Sequence, residues 1–300
     1  MNMQTTPLIR RLYVYQKERF PLAVLGLSLF PAILSSGAIV ASHPAVPNAV
    51  FVLVASVAYL LHIRVIDEQR DFAHDSIHHH DRPVQTGLIS HAELRGINIC
   101  SIGILIGIAL ISGGNALLVA FAMLCYSSIA GRDFFLGERI RKHFFLYNGI
   151  NLVQMLLMQL FVYVFFTNAL PWGPLFYTHA AFTTVGTILF EFIRKLKIPG
   201  SDGTGKDTYT SHMGFHRAMI VYLLLIMLQL ILFAGVINLL SAQSMPWLIF
   251  SLSVGTVLVS IAIGHWIHRK RFTDQLLQLS VLLSYGVLNL VLYFVKNAIS

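Results

Sequence analysis

The chain reads as an all-α bundle of nine transmembrane helices with its N-terminus on the cytoplasmic side. Three observations carry that expectation. First, 56% of the 300 residues are hydrophobic and only 11% charged, against about 25% charge in a soluble domain. Mean hydropathy is +0.71. Second, the apolar residues fall into nine segments, each near the ~20 residues that cross a hydrocarbon core. Third, the basic residues sit in alternate connections only. A formal charge of +8 in such a chain is a matter of membrane topology, and a nucleic-acid partner is excluded.

The segments are 20–41, 49–66, 94–112, 115–131, 144–167, 175–192, 217–240, 246–265 and 276–296. Pro44 and Pro47, Pro171 and Pro174, and Pro246 mark ends, and Ser112 to Asn115 divides the third segment from the fourth. Residues 1–19, 64–95, 132–142, 194–217 and 269–271 hold twenty of the twenty-one Lys and Arg, with Lys296 the exception. The connections 42–48, 112–115, 168–174 and 241–245 hold none. This is the positive-inside pattern. It predicts an integral protein of a prokaryotic cytoplasmic membrane. All thirteen acidic residues fall on the same side as the bases, so any chemistry is expected at the cytoplasmic face. The N-terminal stretch shows no cleavable-signal pattern and reads as a basic flank of the first helix. Cys100 and Cys125 lie in apolar runs and read as buried thiols rather than a disulfide framework.

Two long polar connections, 67–91 and 193–215, cap a single domain spanning 1–300. They lie four helices apart, which suggests two pseudo-equivalent halves with the ninth helix extra. The first connection is the richest stretch of the chain. Asp67, Glu68, Asp71, Asp75 and Asp81 put five carboxylates into fifteen residues. Asp67, Asp71 and Asp75 are spaced by four and fall along one face of a helix. Carboxylates so close repel one another unless cations hold them, and an oxygen-rich cluster suits Mg²⁺. The second connection offers Glu191, Asp202 and Asp207 interleaved with Arg194, Lys195, Lys197 and Lys206. Gly200, Gly203 and Gly205 there leave backbone N–H groups open to anions. A solvated loop of mixed charge fits the same residues.

The first stretch resembles the signature of the UbiA-type intramembrane prenyltransferases, N-D-x-x-D-x-x-x-D followed by Arg-Pro-x-x-x-Gly. Asp67, Glu68, Asp71 and Asp75 stand at the four acidic or amide positions, and Arg82, Pro83 and Gly87 supply the turn. The likeness extends over most of the chain. Asp67 stands for the usual Asn and Glu68 for the usual Asp. The second motif departs further, since Glu191, Asp202 and Asp207 with a Gly-rich insertion replace D-x-x-x-D-x-x-x-D. The resemblance implies Mg²⁺-dependent transfer of a prenyl group from an isoprenyl diphosphate to a lipid-soluble acceptor, in contact with membrane lipid. Asp67, Glu68, Asp71 and Asp75 would hold one ion, and Glu191, Asp202 and Asp207 another. The paired ions would neutralise the leaving diphosphate, with Asp71 and Asp75 indispensable for turnover. Arg64, Arg70, Arg82, Lys195 and Lys206 would add hydrogen bonds to it; Arg82 equally fits a role in fixing the turn. A quinone-precursor ring, a haem, a chlorin and a glycerolipid all fit the acceptor's place.

The carbon left behind becomes cation-like, and an aromatic face stabilises it. Tyr126, near Arg132, resembles the family's tyrosine at that helix end; a core tyrosine with a satisfied hydroxyl accounts for it equally. Asn148, Asn151 and Gln154, with Gln159 beyond, either line an acceptor pocket or join helices. Thirteen histidines raise a rival. His74, His78, His79 and His80, then His212 and His216, then His265 and His268 resemble the boxes of membrane di-iron desaturases and hydroxylases. Interfacial histidine beside anionic headgroups is the plainer alternative. A transporter is a third class, but no ionisable residue falls mid-span, where coupled transport places one.

Overall fold

The computed structural model describes residues 7–41, 46–169, 172–199, 208–240 and 245–299. Among them every regular element is a helix: α1 Leu8–Arg19, α2 Leu22–Val40, α3 Val46–Arg70, α4 Phe72–His78, α5 His91–Ser112, α6 Gly114–Ala130, α7 Glu138–Arg141, α8 Phe144–Thr167, α9 Pro174–Lys195, α10 Tyr209–Met213, α11 Phe215–Leu240, α12 Met245–His268 and α13 Arg271–Ile299. Each of the nine apolar segments coincides with one long helix. Seven of these (α2, α3, α5, α8, α11, α12 and α13) are long and apolar enough to cross a membrane, and α6 is a shorter apolar helix. The chain is an integral membrane protein. Helix α9 is 22 residues long but carries four threonines and a histidine, and it is not among the seven.

The helices group into two compact units, one of residues 1–26 and 50–169, the other of 27–49 and 170–300. The expected halves are therefore redrawn. The division falls after the fifth apolar segment, and the extra helix is the first, α2, most of which belongs to the second unit. Each unit then holds four consecutive long helices, α3-α5-α6-α8 and α9-α11-α12-α13. In each, the acidic connection follows the first of the four.

In the first unit, α6 packs between α5 and α8. Polar ties bring in α3: the Tyr59 hydroxyl donates to Met123 O at 3.2 Å, and His62 meets Asn98 Oδ1 at 2.6 Å and Ser127 Oγ at 2.8 Å. In lipid such bonds hold helices together where apolar burial gives no drive. At the polar end, Tyr15, Val65, Val84, Ile89 and Leu94 form a small core beneath α1.

In the second unit, α11 packs against α9 and α12, and α13 against α12 and α9. Its core includes Leu189, Phe192, Met219, Tyr222, Ile226, Leu258, Leu277 and Val281. A methyl group at Gly186 would collide with the Tyr285 ring, so the α9–α13 approach requires glycine there. Ser35 of α2 donates to Asn289 Oδ1 at 2.6 Å and lies 3.1 Å from His179 Nε2, with all three fully buried.

Cys100 and Cys125 are exposed rather than buried. A helix bathed in lipid is apolar on its outer face as well as its inner one, so apolar neighbours in sequence do not place a thiol inside the bundle.

Candidate active site

The acidic stretch lies wholly in the first unit. Helix α3 continues past the expected end at 66 to Arg70, so Asp67 and Glu68 stand on its last turn. The backbone leaves helical geometry at Asp71 (φ −94°, ψ 6°), and α4 restarts at Phe72. Hydrogen bonds Asp71 N–Asp67 O (2.9 Å) and Asp75 N–Asp71 O (2.8 Å) carry across the bend. The single stripe expected of Asp67, Asp71 and Asp75 is thereby divided.

Asp67 and Asp71 share Arg70, whose Nη2 lies 2.8 Å from Asp67 Oδ1 and 2.9 Å from Asp71 Oδ2. Glu68 turns the other way. Its side chain is fully buried and accepts from Arg19 Nε (2.8 Å) and from Arg64 Nε and Nη2 (3.1 and 2.7 Å). Asp75, also buried, is paired to Arg82, with Arg19 Nη2 at 3.9 Å. The compensation that close carboxylates demand is thus supplied here by guanidinium groups, interleaved so that each acid has one. Arg64, Arg70 and Arg82, expected at the diphosphate, rest on these carboxylates.

A further layer escaped the sequence reading. After α6 the chain makes a turn in which Asp133, Phe134 and Phe135 have φ of 49°, 54° and 58°. Left-handed geometry in such residues costs about 1–2 kcal/mol each. Asp133 Oδ2 lies 2.6 Å from Arg141 Nη2, and Tyr147 donates to Oδ1 at 3.3 Å. Arg141 also stands 3.5 Å from Asp71 Oδ1, and the Arg70 guanidinium lies 5.8 Å from the Tyr147 ring centre. Burial raises the Asp71 pKa, but hydrogen bonds from Arg70 and the charges of Arg70, Arg141 and His74 outweigh it, holding the carboxyl below its ordinary value. The signal available for this layer was the acid at 133 inside a basic connection, which the topology pattern absorbed as mere flanking charge. Arg19 was absorbed the same way.

Residues 82–89 form the expected turn. Gly87 has φ +74°, Thr86 N donates to Arg82 O and Ile89 N to Pro83 O. Ser90 and Glu93 then form a capping box for α5. Arg11 of α1 grips Glu93 at 2.6 and 3.1 Å and donates to Leu88 O at 3.0 Å. Helix α1 is therefore pinned near both ends, by Arg11 and by Arg19.

Carboxylate oxygens are the donors a hard divalent cation takes, and Glu68 Oε2 is buried with no hydrogen-bond partner, as are the Tyr15 hydroxyl and both amide atoms of Gln85; but the oxygens of Asp67, Glu68, Asp71 and Asp75 do not gather into one ligand group among the described residues.

In the second unit Glu191 is held by Arg194 Nη2 (2.9 Å) and Lys195 Nζ (2.8 Å). Thr210 Oγ1 donates to Lys197 O at 2.8 Å, and Tyr209 stacks on Phe192 with centres 4.4 Å apart. Burial and then the Glu191 charge push the Tyr209 hydroxyl up to about 12. Asp202, Lys206 and Asp207, with Gly200, Gly203 and Gly205, lie outside the described residues.

Tyr126 donates to Ile150 O at 2.9 Å and sets its ring edge-on to Phe134, while Arg132 bonds back to Ser128 O at 3.4 Å. The α8 amides bond within their own helix: Asn148 to Phe144 O, Asn151 to Tyr147 O and Gln154 to Asn151 Oδ1. Of the histidine boxes, only the first contributes to a metal-compatible group among the described residues, His74, Asp75 and His79. In the second unit His216 accepts from Trp266 Nε1 at 2.7 Å, His265 Nδ1 lies 3.0 Å from Thr273 Oγ1, and His212 Nδ1 lies 3.1 Å from Thr208 O.

No protein-family profile matches the chain, and no curated protein matches it in sequence. Solved structures do match. A digeranylgeranylglyceryl phosphate synthase in membranes superposes with a TM-score of 0.61 at 14% identity, over 97% of this chain and 99% of that one. A UbiA homologue from Archaeoglobus fulgidus bound to DMAPP and Mg²⁺ gives 0.59 at 15% identity, over 95% and 98%. The apo UbiA homologue from Aeropyrum pernix K1 gives 0.57 at 14%, over 87% and 96%. With nearly the whole of each chain aligned, the fold of this protein is that of the UbiA homologues.

Proposed function

We propose that the chain is a divergent UbiA-type prenyltransferase, moving a prenyl group from an isoprenyl diphosphate to a lipid-soluble acceptor at the cytoplasmic face of a prokaryotic membrane. One observation carries this reading: four carboxylates gathered at the end of α3 and in α4, each matched to an arginine, on the fold of the UbiA homologues. One of those homologues is bound to DMAPP and Mg²⁺ and another form to GPP and Mg²⁺.

Asp67, Glu68, Asp71 and Asp75 would hold Mg²⁺, and Glu191, with Asp202 and Asp207, a second ion. When bound, Mg²⁺ neutralises the negative charge that grows on a departing diphosphate. The chain's own residues do the rest. Arg70 and Arg141 keep Asp71 ionised, so that it presents lone pairs rather than a proton. Arg64, Arg82 and Lys195 supply donors for phosphate oxygens. The hydrocarbon tail lies against apolar helix faces, where each buried CH₂ contributes at most ~0.8 kcal/mol, less whatever lipid already provides. Tyr126 presents an aromatic face to the allylic cation.

The test is diphosphate release from farnesyl or geranylgeranyl diphosphate with Mg²⁺ varied. Wild type should require the metal, and Asp71→Ala and Asp75→Ala should each abolish turnover while remaining inserted and folded. Near-normal rates in either variant at limiting Mg²⁺ would remove these residues from the mechanism. Stoichiometric iron with oxygen uptake on acyl substrates would instead select the di-iron oxygenase, and solute uptake without either activity a transporter.

A further inference from the structure

We propose that His74, Asp75 and His79 form a second kind of metal site, one that binds a divalent transition ion of the zinc class. Each of the three offers a ligand atom, and these atoms all lie within 4.8 Å of one another. Local folding explains the convergence. His74 sits in the first turn of α4. His79 caps the other end, its N–H donating to Asp75 O at 2.8 Å, and its φ of −142° leaves the helix. That exit brings its ring to 6.4 Å from the His74 ring, centre to centre. His78, one turn from His74 with ring centres 4.6 Å apart, flanks the group.

The chemistry differs from that of the carboxylate set. Two imidazoles and one carboxylate suit Zn²⁺, Co²⁺ or Fe²⁺, whereas Mg²⁺ takes oxygen ligands and keeps its water. Zinc bonds of about 2.0–2.2 Å place neighbouring tetrahedral donors roughly 3.4 Å apart. The three donors must close by about an ångström, a movement within reach of side-chain torsions in a seven-residue helix with half-exposed imidazoles. Arg82 and Arg19 both address Asp75 Oδ2, so the carboxylate meets an ion through Oδ1 while remaining anchored on its far side, as ligating carboxylates commonly are. Asp75 is common to this site and to the set proposed for Mg²⁺, but the site itself is a statement about binding and stands whether or not prenyl transfer is found.

The test uses full-length protein in detergent, its affinity tag removed and its metals stripped by chelation, titrated with Co²⁺. One equivalent should bind with the visible absorption of a four- or five-coordinate ion. Zn²⁺ should displace it, and millimolar Mg²⁺ should not. His74→Ala and His79→Ala should each weaken binding about tenfold or more, and His80→Ala should leave it unchanged. Bound Co²⁺ should also raise the unfolding temperature of wild type and not of the His74→Ala/His79→Ala double variant. Absence of a one-equivalent phase, equal binding by the double variant, or displacement by Mg²⁺ would each overturn the proposal.

Discussion

Replacing Glu68 by Ala should destabilise the protein in the absence of any metal or substrate. The side chain is fully buried and accepts three charge-assisted hydrogen bonds, at 2.8, 3.1 and 2.7 Å, from Arg19 and Arg64. Bonds to charged groups contribute about 1.5–3 kcal/mol each, and breaking a buried pair from one side costs about 3–5 kcal/mol. Two facts reduce the sum. The side chains of Arg19 and Arg64 are 15% and 24% exposed and can recruit water, and Arg19 keeps Asp75 at 3.9 Å. An expected loss of about 3 kcal/mol follows. It can be read by thermal unfolding in detergent with EDTA present, and the Arg19 share isolated by the cycle Glu68→Ala, Arg19→Ala and the double variant. The coupling should fall in the range of about 0.5–3 kcal/mol found for residues in contact. Freed of Arg19, α1 should also become more accessible to labelling at a cysteine placed at Tyr13. If Glu68→Ala melts with wild type in EDTA and loses stability only against Mg²⁺-loaded protein, its carboxylate serves the ion alone and the anchoring argument fails.

Two other outcomes can be stated. Because the Asp71 pKa is depressed in the folded protein, its contribution to stability is fully present above the ordinary aspartate value of 3.8 and is lost as pH falls through the lower folded value. The stability gap between wild type and Asp71→Asn should therefore stay flat from pH 7 to pH 5 and shrink only under strongly acid conditions; a gap that closes near pH 6 would contradict the Arg70 pairing. Gly186→Ala drives a methyl into the Tyr285 ring and should cost about 1–3 kcal/mol, measurable by thermal unfolding, with Tyr285→Leu restoring part of the loss.

The long helices were legible because lipid imposes one requirement on every span, an apolar run of fixed length. That requirement says nothing about which helices pack together, which is why α2 could not be assigned to its unit from hydropathy. The carboxylates were legible too, since five acids in fifteen residues of a charge-poor chain stand out. Their partners were not. Arg19 reaches Glu68 from 49 residues away and Arg11 reaches Glu93 from 82, and neither separation has any local period. Asp133, Arg141 and Tyr147 assemble through a left-handed turn of non-glycine residues, a conformation no propensity scale would suggest at Asp-Phe-Phe. Asn148 and Asn151 donate to carbonyls one turn back in α8, the nearest acceptors to a polar group in hydrocarbon.

The placement of α2 bears on the order in which the molecule can be made. Synthesis delivers α2 well before α13, so Ser35 finds Asn289 only 254 residues later. Until then its hydroxyl must sit in the bilayer without that amide. It can do so because its single proton has a second acceptor within its own turn, Ala32 O at 3.0 Å, available from the moment the helix forms. Helix α2 can thus wait in the membrane, its hydroxyl satisfied, for α13 to leave the ribosome.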